Sequence, residues 1–147
     1  MFELEYWQGQ AAAQQFPAQA LIAGQWRPAS SGQTFTAINP ATGGVLAEVS
    51  ACAGEDVDAA VSSARQAFDA GVWAQRSPGE RKQVLLRLAD LLMAHREELA
   101  LLDSLNMGKP VMDAYNIDVP GAAGVFRWYA ESLDKLYDQV APSAQNV

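Results

Sequence analysis

The chain has few of the residues that form disulfides, bind metal ions or contact polyanions. Its 147 residues include one cysteine, Cys52, and one histidine, His95. A single cysteine cannot form an internal disulfide, and no cysteine–histidine cluster indicates a metal site. There are 10 Lys and Arg against 17 Asp and Glu, and this net charge of -7 argues against binding to nucleic acid or an anionic membrane.

Long apolar runs and targeting signals are also missing from the sequence. The segment Met1–Gln10 has neither the basic part nor the apolar part of a signal peptide. No apolar run approaches the roughly 18 residues that a membrane-spanning helix requires. We therefore predict a cytoplasmic protein with no nucleic-acid and no membrane partner.

Glycine-rich phosphate-binding motifs are absent as well. Neither G-x-G-x-x-G nor the P-loop pattern occurs, and Gly43-Gly44 lies between two predicted strands as a turn. Cys52 lies between a predicted strand and a predicted helix, but the base that would accompany a nucleophilic cysteine is missing. We favour a buried or half-buried structural cysteine, and for His95 we favour charge compensation at the end of a helix over metal binding.

The residues that are present predict one domain, since half of them are hydrophobic and the length is that of an ordinary domain. Residues 1–19 are predicted as an N-terminal arm with one or two helical turns. The segment Leu21–Ser50 shows short alternating patterns separated by turn residues, with turns at Gly24-Gln25 and Asn39–Gly44. This pattern predicts a small meander of antiparallel strands.

The periodicity becomes helical from Gly54 onward. One apolar stripe follows a helix that we expect to end near Gly71; its members are Val57, Val61, Ala64 and Phe68. Ser77, Pro78 and Glu80 predict a capping box at the start of the next block, which is one long helix or two abutting helices and ends at Gly108. A last helix is predicted from about Asp113 to Val140, kinked or restarted at Pro120.

A series of short motifs runs in order along the chain: Leu21-Ile22, Gly24 and Trp26, then Phe35 and Ile38-Asn39-Pro40-Ala41-Thr42-Gly43, then Ala59, Ala67 and Phe68, then Trp73, Ser77-Pro78 and Arg81, then Leu99, Leu102, Leu105 and Gly108-Lys109-Pro110, and finally Asp118, Pro120-Gly121-Ala122, Arg127-Trp128-Tyr129-Ala130-Glu131 and Asp134-Lys135. Their order resembles the beginning of NAD(P)-dependent aldehyde dehydrogenases, over about residues 20–142. The final helix is most similar to the branch that oxidises amino- and γ-glutamylamino-aldehydes.

The resemblance implies an α/β aldehyde dehydrogenase-like fold of which this chain is the N-terminal segment, mostly helical with a small strand meander. Residues 20–147 would be an incomplete part of the cofactor-binding domain, with the catalytic domain absent. The parent enzyme would oxidise an aldehyde, such as an aminoaldehyde of polyamine breakdown, to the acid with NAD or NADP. The family's nucleophilic cysteine, general base and nicotinamide-binding elements come later in its chain, and Cys52 does not correspond to that nucleophile. We therefore expect the segment alone to be inactive and to bind no dinucleotide.

Two sets of residues have roles implied by the same resemblance. A monovalent cation is expected near the backbone of Ile38 and the carboxylate of Asp118, although a local packing or capping role for Asp118 explains its presence equally well. The helix that carries Ile117, Asp118 and Gly121 is expected to line the tunnel through which the substrate enters. The implied partner is the remainder of the enzyme chain or a homo-oligomer. The alternative is a stand-alone, non-catalytic binding or assembly module derived from this fold.

Overall fold

The structure is a computed structural model that describes residues 4–137. Its helices and strands follow one another in the order α1 (Leu4–Ala13), β1 (Ala20–Ile22), β2 (Gln25–Arg27), β3 (Thr34–Ile38), β4 (Val45–Ser50), α2 (Gly54–Asp69), α3 (Pro78–Ala94), α4 (Arg96–Met107), α5 (Val111–Asp113), a π-helical turn (Ala114–Asp118, called the π-turn below) and α6 (Val119–Ser132). Helix dominates, and the strands are short and antiparallel, as the sequence predicts.

The four strands form two separate antiparallel pairs instead of one continuous meander. Strands β1 and β2 pair across a two-residue turn at Ala23 and Gly24, whose φ angles are 54° and 74°. Two positive φ values are typical of the type I′ turn that matches strand twist. The turn therefore lies one residue earlier than the predicted Gly24-Gln25. Strands β3 and β4 pair from Thr34 opposite Ser50, with an irregularity between Ala37 and Ile38.

Helix α1 is longer than the one or two turns expected of the arm. It runs for ten residues, and Trp7 is buried with 6% of its surface exposed. The Trp7 ring meets the Tyr115 ring edge-on at 5.9 Å between centroids. A helix this short is marginal in isolation, so tertiary contacts stabilise it, among them the Trp7–Tyr115 contact and the hydrogen bond from the Tyr6 hydroxyl to Glu97. Local sequence does not predict these contacts.

The capping box at the start of α3 is confirmed. The Glu80 amide donates to Ser77 Oγ at 3.3 Å, and the Ser77 amide donates to Glu80 Oε2 at 2.9 Å. The block that follows is two helices, because α3 ends at Ala94 and α4 begins at Arg96 on the other side of His95. Gly108 ends α4 with a φ of 78°, as predicted.

The last helical block differs from the prediction in its start, its course and its end. It begins at Val111, passes through the π-turn and continues as α6 to Ser132, so the predicted start at Asp113 is two residues late. Pro120 is the second residue of α6, where its missing N–H is tolerated, and the helix is adjusted just before it by the π-turn. The predicted end at Val140 lies outside the described residues.

Few large apolar side chains are buried among the described residues. The core cluster consists of Ala100, Ala114 and Val119, with Leu99, Val111 and Tyr115 packed against it. The stripe on α2 is largely uncovered, with Val57, Val61 and Phe68 at 55%, 61% and 70% exposure. Within residues 4–137, no helix is long and apolar enough to cross a membrane.

Candidate functional site

The end of α4 meets the turn between β3 and β4 at Gly108. A Cβ atom added to Gly108 would lie 3.0 Å from Pro40 Cγ, which is too close for an undisturbed contact. The Gly108 φ of 78° also disfavours any residue with a side chain. The turn itself is closed by the Asn39 side chain, which accepts from the Ala41 amide at 2.9 Å. This close approach sets Gly108, the residue before Lys109, against the turn that follows Ile38.

Lys109 carries a positive charge at the junction where α4 meets the β3–β4 turn, and it pairs with neighbouring carboxylates. Its ammonium group donates to Asp118 Oδ2 and lies 3.9 Å from Asp103 Oδ2. The hydrogen bond to Asp118 raises the pKa of Lys109 above its usual value, and partial burial opposes that rise. Ser104 Oγ donates to the Lys109 carbonyl at 2.7 Å and fixes the backbone. The Asp118 carboxylate therefore already has a cationic partner, a contact that sequence reasoning did not find.

The three predicted tunnel residues share one continuous helical stretch. Ile117 and Asp118 are the last two residues of the π-turn, and Gly121 lies in the first turn of α6. Ile117 is 65% exposed, and nothing lies within 4 Å of a Cβ placed on Gly121. Ile38, the other predicted cation ligand, is on a different element at the end of β3 and is 52% exposed.

Arg96, the first residue of α4, contacts the start of the π-turn. Its Nε donates to the Tyr115 carbonyl at 2.5 Å, and one terminal nitrogen donates to Asn116 Oδ1 at 3.2 Å. Its guanidinium carbon lies 3.7 Å from the centroid of the Tyr115 ring. This contact could not be predicted from the sequence, because residues 96 and 115 lie 19 positions apart and in different helical segments.

Two cavities lie beside these elements. One of about 590 Å³ lies between α1 and the α3–α4 junction, and its lining includes Trp7, His95 and Tyr115. The other, of about 450 Å³, lies between the β3–β4 pair and α4, and its lining includes Phe35 and Asn106. The linings of these two cavities do not include Ile117, Asp118 or Gly121.

The two other side chains weighed from the sequence lie apart from this junction. Cys52 is exposed, not buried or half-buried as expected. His95 Nδ1 lies 3.3 Å from Glu98 Oε2 on the surface. Over residues 4–137, no three His, Cys, Asp or Glu side chains are grouped so that they could hold a metal ion.

The strand pairs of the described residues differ from those of the usual dinucleotide site. The usual site places the pyrophosphate at the N-terminus of a helix that directly follows a strand of a parallel sheet. Both strand pairs in the described part of the chain are antiparallel. We therefore assign no residue here to NAD or NADP.

Known proteins resemble this chain in both sequence and structure. Aminoacetaldehyde dehydrogenase of Pseudomonas aeruginosa is 50% identical over 132 residues, which are 90% of this chain and 27% of that protein. The NADP/NAD-dependent aldehyde dehydrogenase PuuC of Escherichia coli is 42% identical over 143 residues, which are 97% of this chain and 29% of that protein. The chain thus spans less than a third of the length of these relatives.

Solved structures agree with the sequence relatives. The γ-glutamyl-γ-aminobutyraldehyde dehydrogenase of Burkholderia cenocepacia has a TM-score of 0.94 at 48% identity, over 97% of this chain and 29% of that one. The P. syringae indole-3-acetaldehyde dehydrogenase AldA, solved with NAD+ and IAA, has a TM-score of 0.95 at 42% identity, over 98% of this chain and 29% of that one. The sequence model of the Aldehyde dehydrogenase family matches residues 26–147, and the chain therefore belongs to that family.

Proposed function

We propose that these 147 residues serve as the N-terminal scaffold of an NAD(P)-dependent aldehyde dehydrogenase that oxidises an aminoaldehyde to the corresponding acid. The observation that carries the proposal is the 50% identity to an aminoacetaldehyde dehydrogenase over 90% of this chain. The similarity to a γ-glutamyl-γ-aminobutyraldehyde dehydrogenase supports the same substrate class and a role in polyamine breakdown. We place the enzyme in the cytoplasm, where a lone thiol such as Cys52 stays reduced.

The part that this segment plays is structural and, at one edge, substrate-facing. Ile117, Asp118 and Gly121 would line the entrance for the aldehyde. Lys109 carries one positive charge against the carboxylates of Asp103 and Asp118, and Asp113 is also close enough to act on it. Negative charge is therefore in excess at this junction, which attracts a protonated amine. A monovalent cation near Ile38 and Asp118 would compete with Lys109 for the same carboxylate.

Catalysis and dinucleotide binding would come from other parts of an aldehyde dehydrogenase polypeptide. The support is that residues 4–137 contain only antiparallel strand pairs. We infer that the 147-residue chain alone neither oxidises aldehydes nor binds NAD(P), and that its partner is the remainder of such a polypeptide or a homo-oligomer of the complete enzyme.

A chimeric enzyme tests this function. Residues 1–147 replace the matching segment of the P. aeruginosa aminoacetaldehyde dehydrogenase, and NADH formation is followed with aminoacetaldehyde and with propanal. We expect the chimera to oxidise aminoacetaldehyde and the 147-residue chain alone to be inactive. The unaltered P. aeruginosa enzyme is the positive control. A folded chimera that binds NAD+ without oxidising either aldehyde would contradict the proposal, as would activity of the 147-residue chain alone.

The alternative, a stand-alone binding module, draws on the exposed apolar stripe of α2. Val57, Val61 and Phe68 form an uncovered face of the kind that mediates contacts between proteins. Size-exclusion chromatography of the 147-residue chain distinguishes the enzyme scaffold from the stand-alone module. A compact, well-folded monomer favours the module, and aggregation that disappears in the chimera favours the scaffold.

A further inference from the structure

The π-turn lacks one of the amide donors that a helix normally supplies. In an α-helix the Tyr115 carbonyl would accept from the amide of residue 119, and in a π-helix from that of residue 120. The Val119 amide donates instead to the Ala114 carbonyl, five residues back. Residue 120 is proline, which has no N–H.

Arg96 supplies the hydrogen bond from outside the helix. Its Nε donates to the Tyr115 carbonyl at 2.5 Å, in a partly buried position. A backbone carbonyl in such a position needs a donor, and a charged donor makes the stronger bond. The same guanidinium group also donates to Asn116 Oδ1 at 3.2 Å, so it holds two successive residues of the turn.

The Tyr115 side chain reinforces this attachment from two directions. The Arg96 guanidinium carbon lies 3.7 Å from the centre of the Tyr115 ring, and Trp7 of α1 meets the same ring edge-on at 5.9 Å. Further along, the Asp118 carboxylate binds Lys109. The π-turn is therefore fastened at both its start and its end, with Ile117 between the two attachments.

We propose that Arg96 is a positioning residue that replaces the missing proline N–H, keeps this stretch in π-helical register and so sets the direction in which Ile117 and Asp118 face. The register matters because neighbouring residues on an α-helix differ by about 100° around its axis. A shift by one residue would turn both side chains away from the substrate entrance. The consequence for substrate selection rests on the proposed function, whereas the holding of the turn does not.

The test uses the chimeric enzyme and two readouts. The first is amide hydrogen exchange over residues 115–119. The second is the ratio of kcat/KM for aminoacetaldehyde to that for propanal, which are similar in size and differ in charge. Arg96→Met removes the donors and keeps the length of the side chain, and Arg96→Lys keeps the charge without the planar group. Arg65→Met is the control, because Arg65 lies on exposed α2 and its contacts are with its own helix, at 3.8 Å from Asp69 and 5.2 Å from the centre of the Phe68 ring.

We expect Arg96→Met to speed exchange over residues 115–119 by about tenfold or more, the size expected when a hydrogen bond from a charged donor is lost. The selectivity ratio should change by about fivefold, with the larger effect on KM because binding geometry is altered and the chemistry is not. Arg96→Lys should be intermediate, and Arg65→Met should match the unaltered chimera in both readouts.

A second substitution provides rescue. Pro120→Ala restores an amide that can donate to the Tyr115 carbonyl, so the Arg96→Met/Pro120→Ala double variant should recover slow exchange and the original ratio. Failure of this rescue would overturn the role of Arg96 as a replacement donor.

The outcomes separate the two proposals. Exchange in Arg96→Met equal to that in Arg65→Met would overturn the holding of the turn. Faster exchange with an unchanged selectivity ratio would overturn the effect on substrate choice. A chimera inactive with both aldehydes would contradict the proposed function, while the exchange readout in the same protein would still decide whether Arg96 holds the turn.

Discussion

Among single residues, Asp56 shows how a buried charge can be fully satisfied. It is 3% exposed and accepts from Ser30 Oγ at 2.6 Å, the Ala53 amide at 3.0 Å and the Ser30 amide at 2.9 Å. The hydrogen bond from the Ser30 side chain, followed by those from the two amides, lowers the pKa of Asp56 below its usual 3.8. The carboxylate therefore joins the loop at Ser30 to the start of α2.

We expect Asp56→Asn to lower the midpoint of urea unfolding at pH 7, because an amide side chain cannot accept all three hydrogen bonds. A carboxyl group whose pKa is lower in the folded state stabilises the protein above its unfolded pKa, and this stabilisation is lost as the pH falls through the folded value. The difference between Asp56→Asn and the unaltered chain should thus be largest at neutral pH and shrink below about pH 4, near the reference pKa of aspartate.

The control for this measurement is Asp58→Asn, which removes an exposed carboxylate from the same helix. Equal effects of the two substitutions, or a gap that widens in acid, would show that the hydrogen bonds to Asp56 do not stabilise the fold.

The sequence predicted the Ser77–Glu80 capping box because its partners are three residues apart. The burial of Asp56 could not be predicted in this way, because its partner Ser30 is 26 residues away.

Among the elements, α1 depends most clearly on its contacts with the helices around it, which include the hydrogen bond from the Tyr6 hydroxyl to Glu97. Trp7 is its one buried residue, and it rests on Tyr115 at the start of the π-turn. Trp7→Ala should release α1 and lower the free energy of unfolding by about 3 kcal/mol, the lower end of the range for large aromatic residues. Urea unfolding measures the free energy, and hydrogen exchange over residues 4–13 measures the release.

Gln8→Ala, an exposed change on the same helix, is the control and should alter neither value. Protected amides in α1 after Trp7→Ala would mean that other contacts hold the helix.

The helices with caps or apolar periodicity could be predicted from sequence. The π-turn could not, because a proline predicts only a kink or a restart, whereas the structure of this stretch depends on an arginine 19 residues away.

For the molecule as a whole, the uncovered face of α2 provides a test of whether these residues work within a larger enzyme. Val61→Lys should change the stability of the 147-residue chain little, since the side chain is 61% exposed there. In the chimera the same lysine should destabilise the protein by about 1–3 kcal/mol, the cost of burying an unpaired polar group. Thermal unfolding of both proteins, with and without the substitution, makes the comparison.

Ser62→Lys, on the polar side of α2, serves as control and should be tolerated in both proteins. If Val61→Lys were equally harmless in the chimera, the α2 face would remain uncovered there and the scaffold role would lose its support.

The sequence predicted the stripe correctly as apolar, but what it packs against cannot be predicted from the stripe, because periodicity identifies a face and not its partner.

The contact at Gly108 connects the length of the β3–β4 hairpin to the position of the π-turn. The tip of the β3–β4 hairpin rests on a backbone position that leaves no room for a side chain. The next residue, Lys109, is bound to Asp118 in the π-turn. A β3–β4 hairpin of altered length would therefore displace the helix that we propose meets the aldehyde. Insertions or deletions in the turn between β3 and β4, although distant in sequence from that helix, should alter substrate preference.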